Sequence, residues 1–197
     1  YKIDIKIKKD LEKNITESVS VFLKKLSNIL FSQKPDLIVL LGDRYELIAP
    51  AFAGLIFNIP IAHIHGGEVT NGAYDDAIRH SISKMSNLHF VSNKIYKKRL
   101  LQLGEESKNI FITGGMGVDA IKHLKLYNKL QIQKELGIVF QKKILIVTLH
   151  PETKSFYNSK IQIDILLLSL SKLKNTTIIF TCANADNDNL IINKKIK

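Results

Sequence analysis

Three short runs place acids, histidines and an arginine where apolar segments end: Gly42-Asp43-Arg44, His63-Ile64-His65-Gly66-Gly67-Glu68 and His150-Pro151-Glu152. Carboxylates and imidazoles are the groups that exchange protons with a substrate near neutral pH, and arginine is the cation best matched to phosphate. A fourth run separates Asp75 from Arg79, and Asp76 from His80, by four residues, so each pair shares a face if the segment is helical. A helix starting there also brings Arg79 near an N-terminus, where a phosphate is favoured. Each group has a plainer reading. Asp43 before a helix would serve as an N-cap, and His63, inside an alternating apolar run, reads as a hydrogen-bonded core histidine. Asp76 with His80 reads as a surface ion pair worth under about 1 kcal/mol. His65 and Glu68 flank a Gly-Gly turn that lets backbone come close to a ligand.

The elements that must position these residues follow from hydrophobic periodicity. Ile15, Val19, Phe22, Leu23, Leu26, Ile29 and Leu30 recur at helical steps until Pro35 stops the pattern. Residues 36–43, DLIVLLGD, form a continuous apolar run that reads as a strand buried on both faces of a parallel sheet. Helices are expected over about 45–57, 74–86 and 94–102, and strands over 59–65, 88–92 and 109–115. A polar, largely helical stretch around 120–142 marks a domain junction. A strand at 144–150, a helix near 160–173 and a strand at 176–184 then open a second cycle. Repeated βα predicts an α/β fold with doubly wound sheets, whose ligands bind at the carboxyl ends of the strands. All three polar runs sit at such ends. Both ends of the chain read as cut, so missing sequence is expected on either side.

Composition narrows the classes. The 197 residues are 45% hydrophobic, enough to bury a substantial core. The formal charge of +11 raises nucleic acid as a partner, but lysines run from Lys2 to Lys197 without interleaved aromatics, and a nucleic-acid partner is not expected. No apolar run reaches the length of a membrane span, so a soluble cytoplasmic protein with no membrane partner is expected. Cys182 is the single cysteine, and no zinc-type Cys/His spacing occurs, so no internal disulfide and no metal are expected. Neither GxGxxG nor GxxxxGK[ST] occurs, and Gly114-Gly115-Met116-Gly117 reads as a tight turn.

GDRYE at 42–46, AHIHGGE at 62–68, GAYDDAIRHSISKMSNLHF at 72–90, HPET at 150–153 and NAD at 184–186 resemble, in this order, the hydrolysing UDP-N-acetylglucosamine 2-epimerases of sialic and legionaminic acid biosynthesis. The resemblance spans about Lys34 to Asp186. It implies two Rossmann-like domains in a GT-B arrangement, truncated at both ends, with residues 1–125 in the first and 126–197 opening the second. The active site would lie in the cleft between them. It implies no metal and no nicotinamide cofactor, a UDP-sugar substrate and a homo-oligomer. The family chemistry is an anti elimination of UDP that leaves a glycal with a double bond between carbons 1 and 2. Water then adds, with the opposite facial outcome at carbon 2. By resemblance the catalytic positions are Asp43, Asp75 and His150, with Arg79 supporting the acid one turn earlier. His65 stands where relatives carry a catalytic Glu, and an imidazole can serve there as base or proton shuttle. Arg44, Glu68, Arg79 and Asn184 are the expected substrate-binding residues. The HIHGGE form and the turn before Asp75 point to UDP-2,4-diacetamido-2,4,6-trideoxyglucose beside UDP-N-acetylglucosamine as candidate substrates. The competing readings are a GT-B glycosyltransferase and a noncatalytic binder of nucleotide sugar or nucleic acid.

Overall fold

Strands and helices alternate as the periodicity requires in a computed structural model that describes residues 2–4, 12–71, 73–150, 159–183 and 189–196. The chain divides into two compact units, Tyr1–Lys122 and His123–Lys197. No helix among the described residues is long and apolar enough to cross a membrane.

In the first unit, α1 (Glu12–Gln33) ends just before Pro35, whose ring cannot continue a helix. Then follow β1 (Ile38–Leu41), α2 (Ile48–Ile56), β2 (Ile61–Ile64), α3 (Asp75–Met85), β3 (Leu88–Val91), α4 (Lys94–Gln102) and β4 (Ile110–Ile112). The strands form a parallel sheet in the order β1-β2-β3-β4, with Leu40 beside His63, His63 beside His89 and His89 beside Ile110. That row and its alternate neighbours face the connecting helices. Leu40, Ala51, Ile61 and Ile82 form one buried cluster, and Val91, Leu100 and Ile110 another.

β1 is not buried on both faces: Val39 is 59% and Leu41 51% exposed. In a sequentially ordered parallel sheet, crossovers of one hand carry α2, α3 and α4 to the same side, so the opposite face of β1 receives none of them. On that opposite face Phe90 stacks on Phe111 with ring centroids 5.4 Å apart.

The turn at Gly114 leads into α5 (Met116–His123). The stretch expected to be largely helical through 142 is broken. α6 (Lys129–Leu136) starts afresh because Asn128 caps it, in a reciprocal capping box with Gln131, and Gly137 ends it in the left-handed conformation. In the second unit β5 (Lys143–Val147) pairs in parallel with β6 (Thr176–Phe180). α7 (Ser159–Leu170) and α8 (Asn189–Ile196) bury Ile163 and Ile192 against Ala183.

Candidate active site at the carboxyl ends of the strands

β1 and β2 end side by side, because the Gly42 amide donates to the Ile64 carbonyl at 3.0 Å. Gly42, at φ +85°, turns the chain out of the sheet, and Asp43 and His65 emerge from neighbouring strands. Asp43 does not cap a helix. The following 3₁₀ turn, Tyr45–Leu47, takes Arg44 as its N-cap residue without any side-chain capping bond. The Asp43 carboxylate instead accepts a charge-assisted hydrogen bond from Arg79 Nη2, which rises from α3.

Arg79 is 6% exposed, and Nη2 also donates to Thr70 Oγ1 at 3.1 Å. Its Nε and Nη1 are buried with no hydrogen-bond partner among the described residues. Helical spacing relates Arg79 to Asp75, yet the guanidinium reaches across the loop to Asp43. A guanidinium with two unused donors carries an unusual cost for a native interior.

The His65 backbone lies at φ +65°, an uncommon conformation for a side chain with a Cβ. Its Nδ1 is 2.7 Å from Glu68 Oε1, and Ser92, just past β3, donates to the same oxygen at 3.2 Å. Glu68 is therefore the group that orients the imidazole, rather than a side chain turned away from it. The two glycines between them are explained by packing. A Cβ at Gly67 would meet the Tyr96 carbonyl of α4 at 2.6 Å, and one at Gly66 would meet Ser83 Oγ at 3.0 Å. The close backbone approach expected of a ligand is made here by α3 and α4.

His63 is fully buried, as its alternating surroundings imply. Its ring nitrogens reach the Gly42 carbonyl at 2.8 Å and Ser83 Oγ at 3.1 Å. Burial pushes its pKa down to about 4, against a smaller opposing effect of the Gly42 hydrogen bond. His80 lies 3.7 Å from Asp76, whose other carboxylate oxygen accepts from the Thr70 amide at 2.9 Å and so ties down the loop before α3.

Arg44 pairs with Glu46 at 2.9 Å and lies over the Tyr45 ring, so its guanidinium is engaged locally. Asp75 is the first residue of α3 and half-buried. His150 is exposed, three residues past β5 in the second unit. Asn184 lies outside the described residues. The structure thus joins Asp43 with Arg79 and His65 with Glu68. Sequence reasoning missed Ser83, Thr70 and Ser92: small hydroxyl residues carry no pattern that separates a hydrogen-bonding role from a spacer. For Ser83 a signal did exist, since it lies four residues after Arg79 on the same helix.

The family described as UDP-N-acetylglucosamine 2-epimerase matches residues 1–197. The chain is 46% identical over 193 residues to the GDP/UDP-N,N'-diacetylbacillosamine 2-epimerase (hydrolyzing) of Campylobacter jejuni, covering 98% of this chain and 50% of that one. It is 33% identical over 184 residues to the UDP-N,N'-diacetylbacillosamine 2-epimerase (hydrolyzing) of Legionella pneumophila, covering 93% and 48%. The chain spans about half the length of these curated relatives. Among solved structures, the UDP-GlcNAc 2-epimerase from Neisseria meningitidis bound to UDP-GlcNAc superposes with a TM-score of 0.76 at 24% identity, covering 92% of this chain and 51% of that one. That likeness shows the α/β fold.

Proposed function

The chain belongs to the UDP-N-acetylglucosamine 2-epimerase family, and on that premise we propose that its full-length protein is a hydrolysing UDP-sugar 2-epimerase. The observation that carries this reading is the pair of proton-exchanging groups at adjoining strand ends, Asp43 held by Arg79 and His65 held by Glu68. The substrate we favour is UDP-2,4-diacetamido-2,4,6-trideoxyglucose, which is UDP-N,N'-diacetylbacillosamine, with UDP-N-acetylglucosamine as the second candidate. The two diacetylbacillosamine epimerases among the relatives support that order. The same reading makes the protein a cytoplasmic homo-oligomer on the legionaminic or sialic acid route.

The chemistry must solve one difficulty. The carbon-2 proton is weakly acidic, so a fixed base has to remove it as the bond between carbon 1 and the diphosphate oxygen breaks. The electron pair of the C–H bond becomes the carbon 1–carbon 2 double bond, and UDP departs with the pair of the C–O bond. Water then supplies hydroxide to carbon 1, and a proton returns to carbon 2 from the opposite face. Asp43, His65 and Asp75 are the candidate proton-transfer groups from the first unit, and His150 joins them by resemblance. Arg79 has two unused N–H groups to offer the charge that develops on the leaving diphosphate. Arg44, Glu68 and Asn184 complete the proposed site, with Glu68 acting on substrate through His65.

Turnover of both UDP-sugars, and of their GDP counterparts, followed by NMR in deuterated water tests the proposal. The expected products are UDP and a free manno-configured sugar carrying deuterium at carbon 2. Asp75→Asn should suppress that turnover by about two orders of magnitude or more while the fold persists. Sugar nucleotides recovered unchanged would turn the reading toward a transferase or a binding protein.

A further inference from the structure

α3 touches the Asp43 turn by two routes. One is the Arg79 guanidinium on the Asp43 carboxylate. The other starts one helical turn later, at Ser83, and runs through His63 to the carbonyl of Gly42. A carbonyl only accepts, so His63 Nε2 must carry the proton and donate. Nδ1 of the neutral ring is then the acceptor, and the Ser83 hydroxyl donates to it. The Gly42 amide is also fixed, by the Ile64 carbonyl. Both polar groups of Gly42 are therefore tied to β2, at the one residue whose positive φ aims Asp43 out of the sheet.

We propose that His63 and Ser83 form a positioning strut for this site, which fixes the Asp43 turn through the Gly42 carbonyl and packs under the turn that follows His65. The strut rests on the functional reading above, because it gives Asp43 and His65 their working positions. Three further observations support it. Both residues are fully buried, so their side-chain polar groups rely on these contacts in place of solvent. Gly66 packs directly on the strut: a Cβ there would lie 3.0 Å from Ser83 Oγ and 3.1 Å from His63 Nδ1, so both side chains would have to give by a few tenths of an ångström. Finally, burial, with His89, Arg79 and His65 nearby, keeps His63 uncharged at neutral pH, which preserves the acceptor that Ser83 needs. His63 never touches substrate in this scheme. It is a positioning residue, and Ser83 fixes its tautomer.

The test uses the full-length enzyme and three variants, His63→Gln, His63→Leu and Ser83→Ala. Glutamine places an amide N–H where Nε2 lies and keeps the donor to Gly42, whereas leucine removes donor and acceptor at similar size. Misplacing a reacting group by an ångström costs on the order of 100-fold. His63→Leu should therefore lower kcat about 100-fold with KM within about twofold, and His63→Gln should restore kcat to within about tenfold of wild type. Ser83→Ala, which places a good helix former in α3, should lower kcat about tenfold and remains informative if the leucine variant does not fold. In ¹⁵N NMR of the wild type, His63 should appear as the neutral Nε2–H tautomer at pH 7. The strut is overturned if His63→Leu, or Ser83→Ala in its place, keeps wild-type kcat. It is equally overturned if the change falls on KM alone, or if the resonance is the Nδ1–H tautomer. A wild-type enzyme inert toward every sugar nucleotide, with the Nε2–H tautomer present, would instead remove the functional reading.

Discussion

Arg79→Met separates what the arginine contributes to folding from what it contributes to turnover. Breaking a fully buried ion pair costs about 3–5 kcal/mol, because the surviving charge is left uncompensated. The Asp43 side chain keeps 22% of its surface in contact with water, which brings that cost down to about 2 kcal/mol. Against it stands the removal of two buried N–H groups, Nε and Nη1, that have no partner, each costing about 1 kcal/mol at the low end of its range. Methionine refills the volume with apolar surface. The net loss should be only about 0–1 kcal/mol, while turnover falls on the order of 100- to 1,000-fold with the loss of a preorganised cation. These 197 residues hold no tryptophan, so their urea unfolding is followed by far-UV circular dichroism, alongside release of UDP by the full-length protein. A loss of 3 kcal/mol or more with near-normal turnover would refute the reasoning and make Arg79 a structural residue.

His63 makes stability pH-dependent. Its folded pKa of about 4 lies below the ordinary 6.5, so the unfolded chain binds more protons between those values, and stability should fall by about 3 kcal/mol from pH 7 to pH 4. His89, also lowered by burial, adds in the same direction, and a pH-independent urea midpoint over that range would contradict both assignments. Ile82→Ala should cost about 3–4 kcal/mol, since Ile82 is fully buried between β1, β2 and α2, whereas Ile165→Ala, 61% exposed on α7, should stay within about 0.5 kcal/mol. Equal unfolding midpoints for the two variants would mean that the first cluster is not the core. Glu68→Gln keeps an acceptor for His65 and should reduce kcat about tenfold, with Glu68→Ala reducing it further because the ring is freed to rotate. Unchanged kcat in the alanine variant would detach Glu68 from the site.

Much of this was legible because periodicity and strand-end polarity are local properties. α1, α3 and α4 follow apolar stripes that the sequence displays openly, and their bounds differ from expectation by a few residues at most. The polar runs after β1 and β2 do meet, since neighbouring parallel strands end on the same edge. Side-chain partners were not legible. Asp43 before a helical segment is the pattern of an N-cap, but the chain places Arg44 at the cap position, and only tertiary structure brings Arg79 within reach of the carboxylate. The Gly66-Gly67 pair misled in another way. Glycine reports that something comes close, and the sequence does not say whether it is a ligand or, as here, α3 and α4. Burial of β1 on both faces was inferred from apolar content alone, which carries no information about the side to which crossover helices fall.

Departures from local rules help to locate a site only when combined with position. Non-glycine residues with positive φ occur at Lys34, Asn58, His65 and Asn175 among the described residues. Lys34, Asn58 and Asn175 precede β1, β2 and β6, at the amino edge, where they close ordinary turns. His65 alone of these four follows a strand. Buried polar atoms without partners show the same division. Among the described residues, Arg79 leaves two such nitrogens beside Asp43 and His80 leaves Nδ1 on the next position of α3, whereas His89 leaves Nδ1 in the middle of β3, where its Nε2 meets Glu105, which also pairs with Lys84. That network lies away from the carboxyl edge: Glu105 sits in the loop between α4 and β4, and its partner Lys84 is half-exposed. What singles out the carboxyl edge of β1 and β2 is the coincidence of strained backbone at His65, unspent donors on Arg79 and a desolvated histidine at His63, three costs that packing elsewhere in the first unit must offset. Helix α3 contributes to two of the three, through Arg79 and Ser83 one turn apart. A change in the pitch or register of that helix would therefore displace Asp43 by its side chain and its backbone together.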